Sequence, residues 1–143
     1  MDMGKIAVVY WSGTGNTEAM ANGVTDGAKE AGAQVDMMTA GDFSADQVDT
    51  YAAIAFGCPS MGDEILEEDE FQPMWDQCAP RLGGKKIALF GSYGWGDGEW
   101  MRNWTEECKG LGAQMAAGFL IVNETLGDED IEQCKKLGKS LVS

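Results

Sequence analysis

Ser12-Gly13-Thr14-Gly15-Asn16-Thr17 decides the reading of this chain. It follows the apolar run Ile6-Ala7-Val8-Val9-Tyr10-Trp11 and opens a helical stretch expected from about Thr17 to Ala31. Strand, hydroxyl- and glycine-rich turn, helix is a phosphate-binding layout. A helix N-terminus carries unpaired N–H groups and a partial positive charge, and an anion placed there satisfies both. Gly13 and Gly15 carry no Cβ, so the backbone can approach a ligand closely. Ser12, Thr14 and Thr17 add hydroxyl donors, and Asn16 can hold the loop locally. The loop contains no Lys or Arg, the nearest being Lys5 and Lys29. That excludes the nucleotide loop G-x-x-x-x-G-K-[ST], and Glu18 stands where the dinucleotide pattern G-x-G-x-x-G needs its third glycine. An uncharged cradle suits one terminal phosphate that is bound and never transferred.

Outward from this loop, apolar runs alternate with helical patterns. Lys5–Trp11 reads as a buried central strand, Gln34–Met38 as a short one, and Tyr51–Gly57 as a second buried one. Gly32 stops the first helix, and Ser44 is expected to cap a brief helix through Val48. After Tyr51–Gly57 comes a loop, Cys58-Pro59-Ser60-Met61-Gly62-Asp63-Glu64. Ile65 to about Cys78 reads as a helix that Pro73 interrupts or kinks. Lys85–Phe90 is a strand leading into the glycine-rich aromatic loop Gly91-Ser92-Tyr93-Gly94-Trp95-Gly96-Asp97-Gly98. Glu99–Leu111 is a helix, Gln114–Val122 the last strand and Asp128–Leu141 the last helix. The expectation is a single α/β domain over residues 1–143, a doubly wound parallel sheet of five strands with helices on both faces. Ligands of such folds sit beyond the carboxyl ends of the strands. The loops at 12–17, 58–64 and 91–98 all fall there.

The chain has 143 residues, 24 Asp and Glu against 10 Lys and Arg, and a net charge of −14. No basic stripe exists to displace counterions, so nucleic acid is not an expected partner. No apolar run approaches membrane-spanning length and no basic amphipathic helix is present, so no membrane partner is expected either. The sequence runs straight into a strand without a signal-peptide pattern, which reads as cytoplasmic. Cys58, Cys78, Cys108 and Cys134 are spread evenly with no C-x-x-C pair, the pattern of reduced, buried thiols rather than a zinc or iron–sulfur site. With no His anywhere, Ser-His-Asp and Cys-His catalysis are excluded as usually built. A phospho-receiver domain needs an acidic pair after the first strand, where Tyr10 and Trp11 stand, and no C-x5-R phosphatase loop follows that strand.

The three loops together resemble those of the flavodoxins, specifically the short-chain type of anaerobic, clostridia-like bacteria. The stretches that carry the resemblance are Val9-Tyr10-Trp11-Ser12-Gly13-Thr14-Gly15-Asn16-Thr17-Glu18, Gly57-Cys58-Pro59-Ser60-Met61-Gly62-Asp63-Glu64 and Leu89-Phe90-Gly91-Ser92-Tyr93-Gly94-Trp95-Gly96-Asp97-Gly98. They span essentially the whole chain in the family's order, and the insert of long-chain members has no room between Gln114 and Val122. The resemblance implies the strand order 2-1-3-4-5, noncovalent FMN, and a low-potential one-electron carrier shuttling between semiquinone and hydroquinone. It implies that Ser12 to Thr17 hold the 5′-phosphate, and that Trp95 stacks on the outer face of the isoalloxazine and Met61 on the inner. Gly62 and Asp63 would give the peptide beside flavin N5, and Glu64 would bond N3–H. Backbone around Gly91, Ser92, Tyr93 and Gly94 would meet the pyrimidine side, whereas Pro59 has no assigned contact.

Aromatic and soft apolar walls suit a flat ring, and Trp95 lies between two glycines that leave its face open. Trp75, Trp100 and Trp104 read as structural, and so does Trp11, which ends the first strand within possible reach of the flavin. The acidic balance suits a low potential: a second electron enters a negative field, at about 1 kcal/mol per like charge some way off. Carboxylates at Asp63, Glu64, Glu67, Glu68, Asp69, Asp97 and Glu99 are expected near the flavin edge. They would meet basic docking faces of redox proteins such as reductases and ferredoxin-dependent oxidoreductases, with the chain a monomer. The alternative is a small FMN-dependent NAD(P)H:quinone reductase, which needs a second-substrate pocket and dimerising insertions that the sequence does not display.

Overall fold

The computed structural model describes residues 5–11, 13, 15–60, 66–93, 98–116, 119–123 and 126–142. Strand β1 (Lys5–Tyr10) leads into helix α1 (Asn16–Glu30), then β2 (Gln34–Thr39) and β3 (Tyr51–Gly57). Helix α2 (Phe71–Cys78), β4 (Lys86–Tyr93), α3 (Glu99–Gly110), β5 (Gln114–Met115), β6 (Leu120–Asn123) and α4 (Asp128–Ser140) complete the order. The strands pair in the order β2-β1-β3-β4-β5, with β6 also on β4, and every pairing is parallel. This is the doubly wound topology expected from alternating strands and helices.

The last strand comes as two segments on one edge of β4. Gln114 and Met115 lie opposite Lys86 and Ile87, and pairing resumes with Leu120 opposite Phe90. The sequence between them begins Ala116-Ala117-Gly118, residues with little preference for a pleated, half-buried surface. Helix α2 differs more from expectation. Residues 66–70 are not helical and α2 begins at Phe71, while Ile65 lies outside the described residues. Pro73 is then the third residue of α2, inside the first turn, where its missing N–H costs no intrahelical bond. It neither interrupts nor kinks the helix. Near Ser44 the brief helix is a 3-10 turn, Ala45–Thr50, and the Ser44 N–H donates to Gln47 Oε1 at 2.9 Å.

Alternation along the central strands fills two cores. Ala7, Val9, Ile54, Phe56 and Leu89 face α2 and α3, meeting Phe71, Trp75, Trp100 and Trp104. Ile6, Val8, Ala53, Ala55 and Phe90 face α1 and α4, meeting Met20, Val24, Cys134 and Leu137. Trp75, Trp100 and Trp104 are buried, in keeping with a structural role. Phe56 and Trp104 both stand edge-on to Trp75, with centroids 5.1 and 5.4 Å away, the favoured arrangement for aromatic quadrupoles. All four cysteines are buried and unpaired. Among the described residues no helix is long and apolar enough to cross a membrane.

Candidate functional site

β1, β3 and β4 are neighbours, and their carboxyl ends come level: Tyr10 pairs with Gly57, and Gly57 with Phe90. The ladder continues past the strands into the loops. Trp11 N–H donates to the Gly57 carbonyl at 3.0 Å, Cys58 N–H to Phe90 at 3.1 Å, and Ser60 N–H to Ser92 at 3.0 Å. The loops after the three strands therefore leave the sheet side by side, with their first residues in register.

At the first loop, Gly15 is the N-cap of α1 with φ +96°, a left-handed conformation that favours glycine, and glycine itself brings no capping side chain. In this turn Ala19 N–H donates to the Gly15 carbonyl at 3.0 Å. The N–H groups of Asn16, Thr17 and Glu18 come before it, in the turn where helix geometry provides no intrahelical acceptor. A Cβ on Gly13 would stand 3.0 Å from the Trp11 ring. Thr17 is buried, and its Oγ1 lies 2.8 Å from Ser92 Oγ, a bond between residues 75 positions apart. It joins the start of α1 to the loop after β4.

Of the residues expected at the site, the described ones are Gly13, Gly15, Asn16, Thr17, Gly91, Ser92 and Tyr93, and they gather at this edge of the sheet. Ser12, Thr14, Met61, Gly62, Asp63, Glu64, Gly94 and Trp95 lie outside the described residues. Gly91 is required by close approach: a Cβ there would come 2.2 Å from the Cys58 carbonyl oxygen. That same oxygen accepts from Trp100 Nε1 at 3.2 Å, which gives Trp100 a place in supporting the site. The Tyr93 ring leans on Trp100 with centroids 5.5 Å apart.

Glu67 differs from expectation. Expected among the carboxylates near the flavin edge, it is only 5% exposed. Its Oε2 accepts from Asp69 N–H, and its Oε1 from Glu70 and Phe71 N–H, each at 2.8 Å. Burial alone would raise its pKa, but these three backbone bonds outweigh burial and hold it below the ordinary carboxylate value. Reading residues 65–78 as one helix hid this role, because it made Glu67 one more surface position. Glu68, Asp69 and Glu99 are exposed as expected, while Asp63, Glu64 and Asp97 lie outside the described residues.

Beside the start of α1, Tyr10, Trp11, Glu18, Thr39 and Glu70 line a cleft of about 260 Å³. Tyr10 Oη donates to Glu18 Oε2 at 3.3 Å, and burial followed by the Glu18 charge raises the Tyr10 pKa. With two carboxylates in its wall, this cleft does not suit an anion, whereas the N-terminus of α1 beside it does.

The flavodoxin family model matches residues 8–138. The chain is 46% identical over 135 residues to a flavodoxin of Megasphaera elsdenii, covering 94% of this chain and 96% of that one. It is 44% identical over 137 residues to a flavodoxin of Clostridium beijerinckii, covering 95% and 98%. The solution structure of two-electron reduced Megasphaera elsdenii flavodoxin superposes with a TM-score of 0.88 at 47% identity, over 96% of this chain and 98% of that one. Likeness in sequence and in fold runs over nearly the whole chain, and the chain belongs to the flavodoxin family.

Proposed function

We propose that this flavodoxin is a low-potential one-electron carrier working with one noncovalently bound FMN, and that residues 1–143 act as one FMN-binding domain. The observation that carries the reading is that the loops after β1, β3 and β4 leave one edge of the sheet side by side, beside the N-terminus of α1 with Gly15 at its cap. The residues there fit a phosphate-bearing flavin. The α1 terminus offers N–H groups and hydroxyls, the loop carries no cation, and Gly15 adopts a conformation that brings backbone rather than side chain to the ligand.

When bound, FMN supplies a ring that takes up and releases electrons one at a time. Ser12, Thr14, Asn16 and Thr17 hold its phosphate with the N–H groups of the α1 terminus, and Gly13 and Gly15 let the backbone close on it. Thr17 has one proton to give. Where it gives that proton to a phosphate oxygen, Ser92 must donate to Thr17, so the 2.8 Å hydroxyl pair orders the protons between the phosphate and ring ends. Met61 and Trp95 would wall the ring and keep water from it. The Gly62–Asp63 peptide would serve N5, Glu64 would accept from N3–H, and backbone of Gly91, Ser92, Tyr93 and Gly94 would border the pyrimidine edge. Exposed carboxylates beside these loops meet redox proteins with basic docking faces. The chain works as a monomer in the cytoplasm.

The nearly full-length match to flavodoxins favours the carrier over the quinone reductase reading. An absorption spectrum during anaerobic dithionite titration tests it. One FMN per chain, reduced reversibly, is the expected result, and absence of stoichiometric flavin overturns it. NADH oxidation without added reductase should be negligible; turnover with a quinone would favour the enzyme.

A further inference from the structure

Oxidisable rings stand in line from the carboxyl end of β4 to the exposed side of α3. Tyr93 ends β4, and its ring centroid lies 5.5 Å from that of Trp100. Trp100 and Trp104 are one turn apart on α3, so their Cβ atoms stand about 5–6 Å apart on one helix face. Both are buried in the core on this side of the sheet. Trp104 in turn meets Trp75 edge-on at 5.4 Å. Phe71 packs edge-on against Trp104 and Phe56 against Trp75, and a phenyl ring is far harder to oxidise than an indole. The three indole N–H groups meet different surroundings. Trp100 Nε1 donates to the Cys58 carbonyl at 3.2 Å. Trp104 Nε1 is buried and, among the described residues, has no hydrogen-bond partner. Trp75 Nε1 donates to Glu107 Oε2 at 2.9 Å, and Glu107 is exposed to water. An indole that loses an electron becomes a much stronger N–H acid. A peptide carbonyl is too weak a base to take that proton, whereas a carboxylate takes it. Of the three indoles, Trp75 is the one bonded to a base.

We propose that Tyr93, Trp100, Trp104 and Trp75 form a relay that carries an oxidising equivalent from the flavin site to the Glu107 surface. The oxidant is the photoexcited, oxidised flavin, so the inference rests on the FMN-carrier reading. The flavin gains one electron from the Tyr93–Trp100 end of the relay. Trp104 refills that end, and Trp75 refills Trp104. Trp75 is left one electron short and passes its Nε1 proton to Glu107, which traps the missing electron's place at the far end. The cycle closes when the electron and the proton return. Indoles give up electrons only to strong oxidants, so the relay does not conduct the low-potential electrons that the carrier exchanges with redox proteins. An aromatic cluster that served packing alone would stabilise the core and leave the response to light independent of Glu107.

The test is flash photolysis of the FMN-loaded full chain with blue light, read by transient absorption. The spectra distinguish a neutral indolyl radical, which has lost its N–H proton, from the indole radical cation, which has kept it. Wild type should give a neutral radical that outlasts the flavin excited state. Glu107→Gln keeps a hydrogen-bond acceptor for Trp75 on an exposed side chain but removes the base. Its signal should shift to the radical cation and decay severalfold faster. Trp75→Phe should abolish the long-lived radical, and so should Trp104→Phe, which leaves Trp75 and Glu107 in place but breaks the path to them. Glu106→Gln, the exposed neighbour paired with Lys109, is the charge control and should leave the signal as in wild type. A Glu107→Gln signal identical to wild type, or no long-lived indole radical in wild type, overturns the relay. Should either Phe variant lose its folded circular dichroism, Glu107→Gln decides alone. Wild-type protein that binds no FMN overturns the carrier reading itself, and with it the oxidant that the relay requires.

Discussion

Thr17 ties the start of α1 to the loop after β4, and in the proposed phosphate site the same hydroxyl would discriminate a ligand. Its hydroxyl is buried against Ser92 Oγ at 2.8 Å, next to N–H groups of the α1 terminus. A hydrogen bond to a charged group contributes about 1.5–3 kcal/mol. Thr17→Ala should therefore weaken FMN by roughly tenfold or more while changing riboflavin far less, measured by flavin fluorescence quenching; equal losses would remove Thr17 from the phosphate site. Glu67 allows a pH argument with a definite sign. Its folded pKa lies below the ordinary value of 4.5, so its stabilisation is complete above that pH and is lost as the pH falls through the folded pKa. The melting-temperature gap between wild type and Glu67→Gln should be full at pH 7 and close progressively below about pH 4.5; a gap independent of pH would mean that the carboxylate charge is not what the three N–H groups hold. The cysteines behave as the sequence suggested. Burial pushes Cys58, Cys108 and Cys134 up to about 12 and Cys78 up to about 11. A thiol reagent at pH 8 should label none of them in the native protein and all four after unfolding.

At the scale of elements, α1 and α4 lie closer than ordinary side chains allow. A Cβ on Gly27 would meet the Lys135 carbonyl oxygen at 2.1 Å, and one on Gly138 would meet the Val24 carbonyl oxygen at 2.0 Å. Backbone is the obstacle in both cases, so the helices must separate to admit a methyl group. Gly27→Ala or Gly138→Ala should each cost about 1–3 kcal/mol in a urea titration, even though alanine favours a helix over glycine. A stabilised variant would show that the helix contact is looser than it stands. Nothing in the sequence pattern announced this contact, because a glycine inside a helical stretch reads only as a weak helix former. The strands were legible for the opposite reason. Ile6–Tyr10, Tyr51–Gly57 and Lys86–Phe90 are apolar on both faces, as strands buried under two helical layers must be. What escaped was punctuation: the start of α2, fixed by a buried carboxylate, and the break between β5 and β6. The loop after β1 was visible as residue types, but the Thr17–Ser92 bond and the contact of Glu67 N–H with Cys58 Sγ join positions that no local pattern connects.

For the whole molecule the dominant quantity is charge: −14, from 24 acidic and 10 basic residues. Removing Glu67 from the exposed set changes where that charge is presented. Its carboxylate is turned inward onto backbone N–H groups, whereas Glu68 and Asp69, its neighbours in the chain, are exposed on the turn that leads into α2. That turn follows in sequence on the segment proposed to face the flavin, and on that proposal these two carboxylates would attract a basic partner to the ring. Attraction between exposed charges is screened over about 8 Å at physiological ionic strength, and it acts chiefly on the rate of encounter. Stopped-flow reduction by a reductase with a basic docking face should slow steadily as salt rises. Glu68→Gln combined with Asp69→Asn should lower the rate severalfold at low salt and flatten its salt dependence, with little difference from wild type at high salt, where screening has already removed their contribution. Wild-type rates indifferent to ionic strength would point instead to an apolar docking face, and a double variant with an unchanged salt slope would move the docking surface away from this turn.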